Sequence, residues 1–236
     1  MKVGQGISTA RAGWSFGGDV ANSFVDHARS SIPLYDYGHD LICQASDFFC
    51  LKDSTCYELG TSTGELIRKL ARHNSGKPNI RWIGIDIEES MVNYAQDATK
   101  DLPNVEFRQD NIITCELEKS DLITSYYAIQ FVPPRHRQDV INKIYSSLNW
   151  GGAFLYFEKV RGPDARFQDI VTTLYTEYKL SKGLNAEEIV GKTLSLKSVQ
   201  EPFSTAGNLD LLARAGFKDV MTIMKYVCFE GFLAIK

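Results

Sequence analysis

The residues whose types and spacing could do chemistry fall in three short runs. The first is Tyr57-Glu58-Leu59-Gly60-Thr61-Ser62-Thr63-Gly64, where an apolar stretch runs into a glycine turn and then into a helix-like stretch. Glycine lets a backbone approach a ligand closely and take positive φ. Free N–H groups at a helix start would face that ligand. The spacing is not G-x-G-x-x-G, so a nucleoside cofactor fits better than one carrying a pyrophosphate. Taken alone, the run equally suits a tight strand-to-helix turn with no ligand.

The second signal is Asp86, which closes the next apolar run 26 residues after Gly60. A carboxylate there can accept hydrogen bonds from both ribose hydroxyls. The third is Gln109-Asp110-Asn111-Ile112, in which Asp110 would accept from an adenine amino group. Asn111 and Ile112 would offer a backbone N–H and an apolar face. Sites at the carboxyl ends of three successive strands converge on one crevice.

Groups that could act on a second substrate are Tyr126 and Tyr127, and Glu158 further on. Each has a plainer account. Alternating strand positions would leave one tyrosine in the core, and Glu158 could pair at the surface with Lys159 or Arg161. His136 is a candidate acid or base by residue type, but between Arg135 and Arg137 it reads as a solvated helix start. Tyr175 and Tyr178, at i and i+3, read as packing. The five cysteines, Cys43, Cys50, Cys56, Cys115 and Cys228, form no C-x-x-C pair and read as unpaired thiols of a reducing compartment. No zinc-ligand spacing exists among them and the four histidines, so no metal site is expected.

The elements that must position these residues follow from periodicity. Two helical stretches are expected before residue 50, broken at Ile32-Pro33. Strands are expected at 54–59, 80–87, 105–109, 121–127 and 153–158. Helices between them are expected at 65–73, 89–99 and 135–148, with a turn at Asn149-Trp150-Gly151-Gly152 leading into the fifth strand. Such alternation predicts an α/β fold: a Rossmann-like, doubly wound, mostly parallel sheet. The alternation stops after Glu158. Residues 161–205 read as a helical cap, 209–215 as a helix ended by Gly216, and 218–228 with 230–235 as a hairpin joined at 229–231. That hairpin brings the sheet to seven strands and gives it an antiparallel C-terminal edge. Residues 1–236 are expected to form one domain, comprising an N-terminal helical segment over 1–50, with 1–13 flexible, and the cap over 161–205.

Composition narrows the function classes. The chain has 236 residues, 44% hydrophobic and 23% charged, enough for an ordinary packed core. A net charge of −3 gives no broad basic surface for nucleic acid. No apolar window approaches the ~20 residues of a membrane span, and the N-terminus lacks the apolar region of a signal peptide. A cytoplasmic enzyme is expected.

The motif set E-x-G-x-x-x-G, I-G-I-D, D-N-I and L-N-W-G-G, spread over residues 54–158, resembles the class I methyltransferase pattern. By that likeness S-adenosylmethionine is the cofactor and S-adenosylhomocysteine the product. Glu58, Gly60, Thr61 and Gly64 would line its methionine side and Asp86 with Ile87 its ribose. Asp110, Asn111 and Ile112 would take the adenine, with Tyr35 and Tyr126 completing the pocket. A narrower resemblance spans nearly the whole chain. Trp14-Ser-Phe16, Ser31-Ile-Pro-x-Tyr35, Ile129-Gln-Phe131, Glu158-Lys159, Glu188-Ile189 and Ala215-Gly-Phe217 are similar to the carboxy-S-adenosylmethionine synthase family.

Members of that family join prephenate to S-adenosylmethionine, and their product feeds modification of the tRNA wobble uridine. Two positions depart from the pattern. Thr193 follows Lys192 where the family has an arginine pairing with the added carboxylate, and Tyr126 stands in place of an asparagine. Threonine cannot form the bidentate pair a guanidinium offers, and Lys192 would compensate only as a point charge. The expected function is methyl transfer to a small-molecule acceptor. Carboxy-S-adenosylmethionine synthesis and an inactive cofactor-binding scaffold are the alternatives. By the same resemblance a homodimer is expected, with the aromatic N-terminal segment at its interface.

Overall fold

The computed structural model describes residues 1–3, 9–17 and 20–236, the side chain of Val20 excepted. Helices α1 (Val20–Ser31) and α2 (Tyr35–Ser46) come first. Alternation follows: β1 (Thr55–Leu59), α3 (Glu65–His73), β2 (Arg81–Asp86), α4 (Glu89–Ala98), β3 (Val105–Gln109) and β4 (Ser120–Tyr126). A 3-10 turn (Ile129–Phe131), α5 (Pro134–Ser147) and β5 (Leu148–Lys159) complete the parallel part. Helices α6 (Ala165–Ser181), α7 (Ala186–Ser195) and α8 (Thr205–Ala215) precede the hairpin β6 (Asp219–Tyr226) and β7 (Phe229–Ile235). The seven strands lie in the order β3-β2-β1-β4-β5-β7-β6. β7 runs antiparallel to β5 and β6, and the other pairs are parallel. This is the doubly wound sheet with an antiparallel edge that the alternation predicts.

The sheet is apolar on both faces, as a sheet covered on both sides must be. Leu66, Ile67 and Leu70 of α3 and Ile42 of α2 pack on Trp82, Leu122 and Leu155. On the other face Ile141 and Ile144 of α5 and Leu211 and Leu212 of α8 pack on Ile83, Ile123 and Phe154. Each such side chain, fully buried, stabilises the fold by roughly 1.5–3 kcal/mol. The order reverses where β1 meets β4, which opens the crevice at the carboxyl ends of the strands.

Two turns differ from the sequence reading. β5 begins at Leu148, because Asn149–Gly152 form a bulge within the strand rather than a turn before it. The register shifts between Ser120 and Leu122, Gly151 has φ +78°, and Trp150 stands 89% exposed. The β6–β7 turn lies at Val227-Cys228, not at 229–231. Gly231 is there for packing: a Cβ on it would sit 2.4 Å from the Phe157 ring. Cys228 is therefore a turn residue rather than a strand residue. The flexible reading of 1–13 falls partly on residues 4–8, outside the described ones. The described neighbours dock on α7: Ala12 and Trp14 donate N–H bonds to the carbonyls of Leu194 and Ser195, at 3.0 and 3.3 Å.

The cap helices are held at their ends. Asn185 and Glu188 close a reciprocal capping box at the start of α7, worth about 1 kcal/mol. α6 is tied to α1 by Tyr175, whose hydroxyl donates to the Ser31 carbonyl at 2.8 Å. Its ring lies 5.3 Å from that of Phe229.

Candidate active site

The three sequence signals meet at one cavity of about 1030 Å³. Its floor is the β1–α3 turn. Gly60 has φ +76°, and a Cβ on it would meet the Ala128 methyl at 2.3 Å, so only glycine fits. The N–H groups of Gly60 and Thr61 are not free for a ligand as expected; both donate to the Ile85 carbonyl, at 2.8 and 3.0 Å. Gly64, also at positive φ, offers no side chain to cap α3, and Glu58 takes over that task. Its Oε2 accepts from the Ile67 N–H at 3.1 Å and the Thr61 hydroxyl at 2.7 Å. Burial pushes the Glu58 carboxyl up to about 8. Gly64 does not line the cavity; Ala95 and Phe107 fill the space over it.

Asp86 sits at the end of β2 as expected. Its Oδ2 accepts from the Ser62 N–H at 2.7 Å and its Oδ1 from the Glu88 N–H at 3.1 Å, which locks the carboxylate at the cavity rim. Burial raises its carboxyl above the usual range, against the pull of these N–H groups. The Asp110 carboxylate accepts from the Asn111 N–H at 2.7 Å, and the Asn111 side chain from the Ile113 N–H at 2.9 Å. Lys143 fastens this loop from below by donating to the carbonyls of Ile112, Ile113 and Cys115 at 2.8, 3.1 and 2.8 Å. Ile87 and Ile112 line the cavity at this end, with Ile87 58% exposed.

Tyr126 and Tyr127 are both buried, not alternately placed. Tyr126 ends β4, and Tyr127 takes φ +60°, which breaks the strand's alternation and turns both rings inward. Burial raises both phenols well above their usual range, so both stay protonated near neutral pH. The surface ion pair considered for Glu158 does not form. Glu158 is buried behind the cavity wall, where its Oε1 accepts from the Gln130 N–H at 3.2 Å, and burial pushes it up to about 8. Arg137 likewise belongs to the interior rather than to a solvated helix start: it donates to the carbonyls of Gln130, Val132 and Glu201.

Comparison with known proteins decides the family. Residues 57–152 match the methyltransferase domain family. A carboxy-S-adenosyl-L-methionine synthase of Staphylococcus epidermidis is 33% identical, over 94% of this chain and 97% of that protein. The chain belongs to the carboxy-S-adenosyl-L-methionine synthase family. Solved methyltransferases share the fold alone. The S-adenosylmethionine-dependent methyltransferase SibL superposes with a TM-score of 0.62 at 15% identity, over 85% of this chain and 55% of that one. Human N-acetylserotonin methyltransferase, in complex with its cofactor, gives 0.56 at 17%, over 92% and 53%. The chain is thus an S-adenosylmethionine-dependent transferase with a methyltransferase fold, and S-adenosylhomocysteine is the product of methyl transfer. Among the described residues no helix is long and apolar enough to cross a membrane.

The far end of the cavity carries three lysines. Lys179 and Lys192 are buried there and Lys159 is half-buried; none of the three forms an ion pair among the described residues. Lys159 and Lys179 lie 4.6 and 4.5 Å from the centroid of the Tyr175 ring. Tyr175, read as packing, therefore organises two cations. The Thr193 hydroxyl is spent on the Ile189 carbonyl at 2.8 Å. His39 is fully buried against the cavity with both ring nitrogens unpartnered among the described residues, and burial lowers its pKa to about 3. No sequence signal marks it, since a single histidine on a helix face is ordinary. Asp36, His39 and Glu65 bring ligand atoms within 4.8 Å of one another, but Arg29 already bridges the two carboxylates, at 2.8 and 2.7 Å.

Proposed function

We propose that this chain transfers the methyl group of S-adenosylmethionine to a small-molecule acceptor held beneath α6 and α7. The observation that carries the reading is the continuity of the cavity, from Asp86 and Ile112 at one end to Tyr175, Lys179 and Lys192 at the other. Its volume lies at the upper limit of the ~300–1,000 Å³ of ordinary ligand sites, room for cofactor and acceptor together.

The residues present fit the cofactor. The Asp86 carboxylate, fixed by two N–H groups, keeps lone pairs for ribose hydroxyls. Ile87 and Ile112 offer apolar surface that a purine would cover, with Asp110 and Asn111 at its edge. Glu58, Gly60 and Thr61 line the methionine side, Gly64 shapes it from behind, and Tyr35 and Tyr126 wall it. Bound there, S-adenosylmethionine supplies an electrophilic methyl group. The protein's part is to align the acceptor and keep water out, which the aromatic walls of Tyr126, Tyr127 and Phe131 serve. Glu158 acts at one remove, by fixing the turn that carries Gln130.

A second reading is carboxy-S-adenosylmethionine synthesis. The three lysines without counterions favour it, since they would receive a carboxylated ligand without the family arginine. In either reading residues 1–236 work as one domain. The unpaired buried cysteines suit a reducing cytoplasm. Native mass spectrometry of the purified protein tests the proposal. Copurified S-adenosylmethionine or S-adenosylhomocysteine is expected. A ligand heavier by one carboxylate would establish the second reading, and failure to bind added cofactor would overturn both.

A further inference from the structure

Lys192 is placed unlike the other lysines of the cavity. Its Nζ meets two neighbours, both on α1: Nε2 of His27 and Oγ of Ser31, the latter at 2.6 Å. Burial lowers the His27 pKa to about 3, so the ring is neutral, and its Nε2 accepts a hydrogen from the amine. Trp14 clamps the pair: its ring stacks on His27 at 5.1 Å, and the Lys192 Nζ lies 5.5 Å from it. All four side chains line the cavity.

A neutral amine has two N–H bonds and one lone pair. With both hydrogens given to His27 and Ser31, the lone pair is left for the cavity. The groups packed around it disfavour its protonation. Lys159 of β5 and Lys179 of α6 repel an added proton, His27 and Ser31 carry no charge, and among the described residues no carboxylate holds a proton there. Burial and these two cations lower the amine to about 7.

We propose that Lys192 is the proton acceptor of the cavity and that the acceptor substrate attacks through a hydroxyl on a planar ring, a phenol or enol. In the step assigned to Lys192, the O–H bond of that hydroxyl breaks, its electron pair stays on oxygen, and the proton forms a third N–H bond on Nζ. Lys159 and Lys179, facing the Tyr175 ring, then lie on the side where the oxyanion forms. The aromatic wall of Trp14, Phe16, Phe24 and Phe131 suits a flat ring. A base titrating near the working pH is also the efficient one. The inference rests on the proposed methyl transfer for its second substrate, but the state of the amine can be measured alone.

The test is an NMR titration of protein labelled with 13C at lysine Cε, with Lys192→Met to assign the resonance. One lysine signal should move with a midpoint near neutrality and vanish in Lys192→Met. At pH 7 the neutral form should be about 10³-fold more populated than for an ordinary lysine of pKa ~10.4. In Ser31→Ala and His27→Gln the signal should remain and its midpoint shift. A Lys192 midpoint near 10 in the wild type would overturn the proposal and leave the residue a permanent cation. Thermal unfolding of Lys192→Met beside the wild type shows an intact fold, and calorimetry of the wild type with S-adenosylmethionine runs alongside. Absence of binding in the wild type would sink the methyl-transfer reading while leaving the titration standing.

Discussion

The Tyr126 hydroxyl donates to the backbone carbonyl of Tyr35 across 2.7 Å, joining the end of β4 to the start of α2. The contact needs Gly38, since a Cβ there would fall 2.2 Å from the Tyr126 oxygen. Gly38→Ala should therefore destabilise the fold by about 1–3 kcal/mol, as overpacking does. Tyr126→Phe alone should cost about 1 kcal/mol for the lost bond. Combined with Gly38→Ala, it should recover part of the larger loss, because the clashing oxygen is gone. Urea unfolding of the three variants checks this, and strict additivity would show that the two residues do not interact.

Asp86→Ala should weaken S-adenosylmethionine binding at least tenfold in calorimetry, with a loss of stability of about 1–3 kcal/mol for the Ser62 and Glu88 N–H groups left without their acceptor. Only the ionised carboxylate can accept from both ribose hydroxyls. Because burial raises the carboxyl, it protonates at a higher pH than the ~3.9 of a free aspartate. Wild-type affinity should accordingly fall on acidification before an ordinary aspartate would titrate. An affinity in Asp86→Ala equal to wild type would remove Asp86 from the ribose site.

Glu158 links stability to pH. Its folded value, about 8, lies above the ~4.3 of an unfolded chain, so the native state binds the extra proton between them. The contribution is whole below the lower value and is lost as pH rises through the upper one. Glu158→Gln, which keeps an acceptor for the Gln130 N–H, should gain on the wild type as pH rises from 5 to 8.5. The expected slope is at most about 1.4 kcal/mol per pH unit. Parallel stability curves for the two proteins would contradict the buried, protonated acid.

Lys143 never reaches the cavity, yet its three carbonyl bonds hold the loop that carries Asn111 and Ile112. Lys143→Met should lower cofactor affinity several-fold with a modest loss of stability, about 1–3 kcal/mol for hydrogen bonds from a charged donor. Calorimetry and thermal unfolding separate the two effects.

The sheet, its order of elements and the β1–α3 turn with Asp86 could all be read from the chain, because each rests on local periodicity or on a glycine with a local duty. Gly231 misled for the opposite reason. Its duty is to admit the Phe157 ring from β5, and the turn passed instead to Val227-Cys228, where nothing in the composition marks it. The bulge at Gly151-Gly152 is likewise a matter of pairing with β4. The charged residues were harder still. Arg137, Glu158 and the three cavity lysines look like surface residues until α6, α7 and the 3-10 turn close over them. Burial of that kind comes from distant segments, and no short run of sequence encodes it.

Trp14, stacked on His27 in the cavity wall, has an optical consequence. The three tryptophans of the chain stand in three surroundings: Trp82 in the core, Trp150 in solvent, and Trp14 where ligands would enter. Trp150 can be quenched selectively by iodide, and Trp82 is shielded from both solvent and cavity. The emission that changes when a ligand enters therefore comes from Trp14, so the protein carries its own fluorescent gauge of occupancy at the Lys192 end.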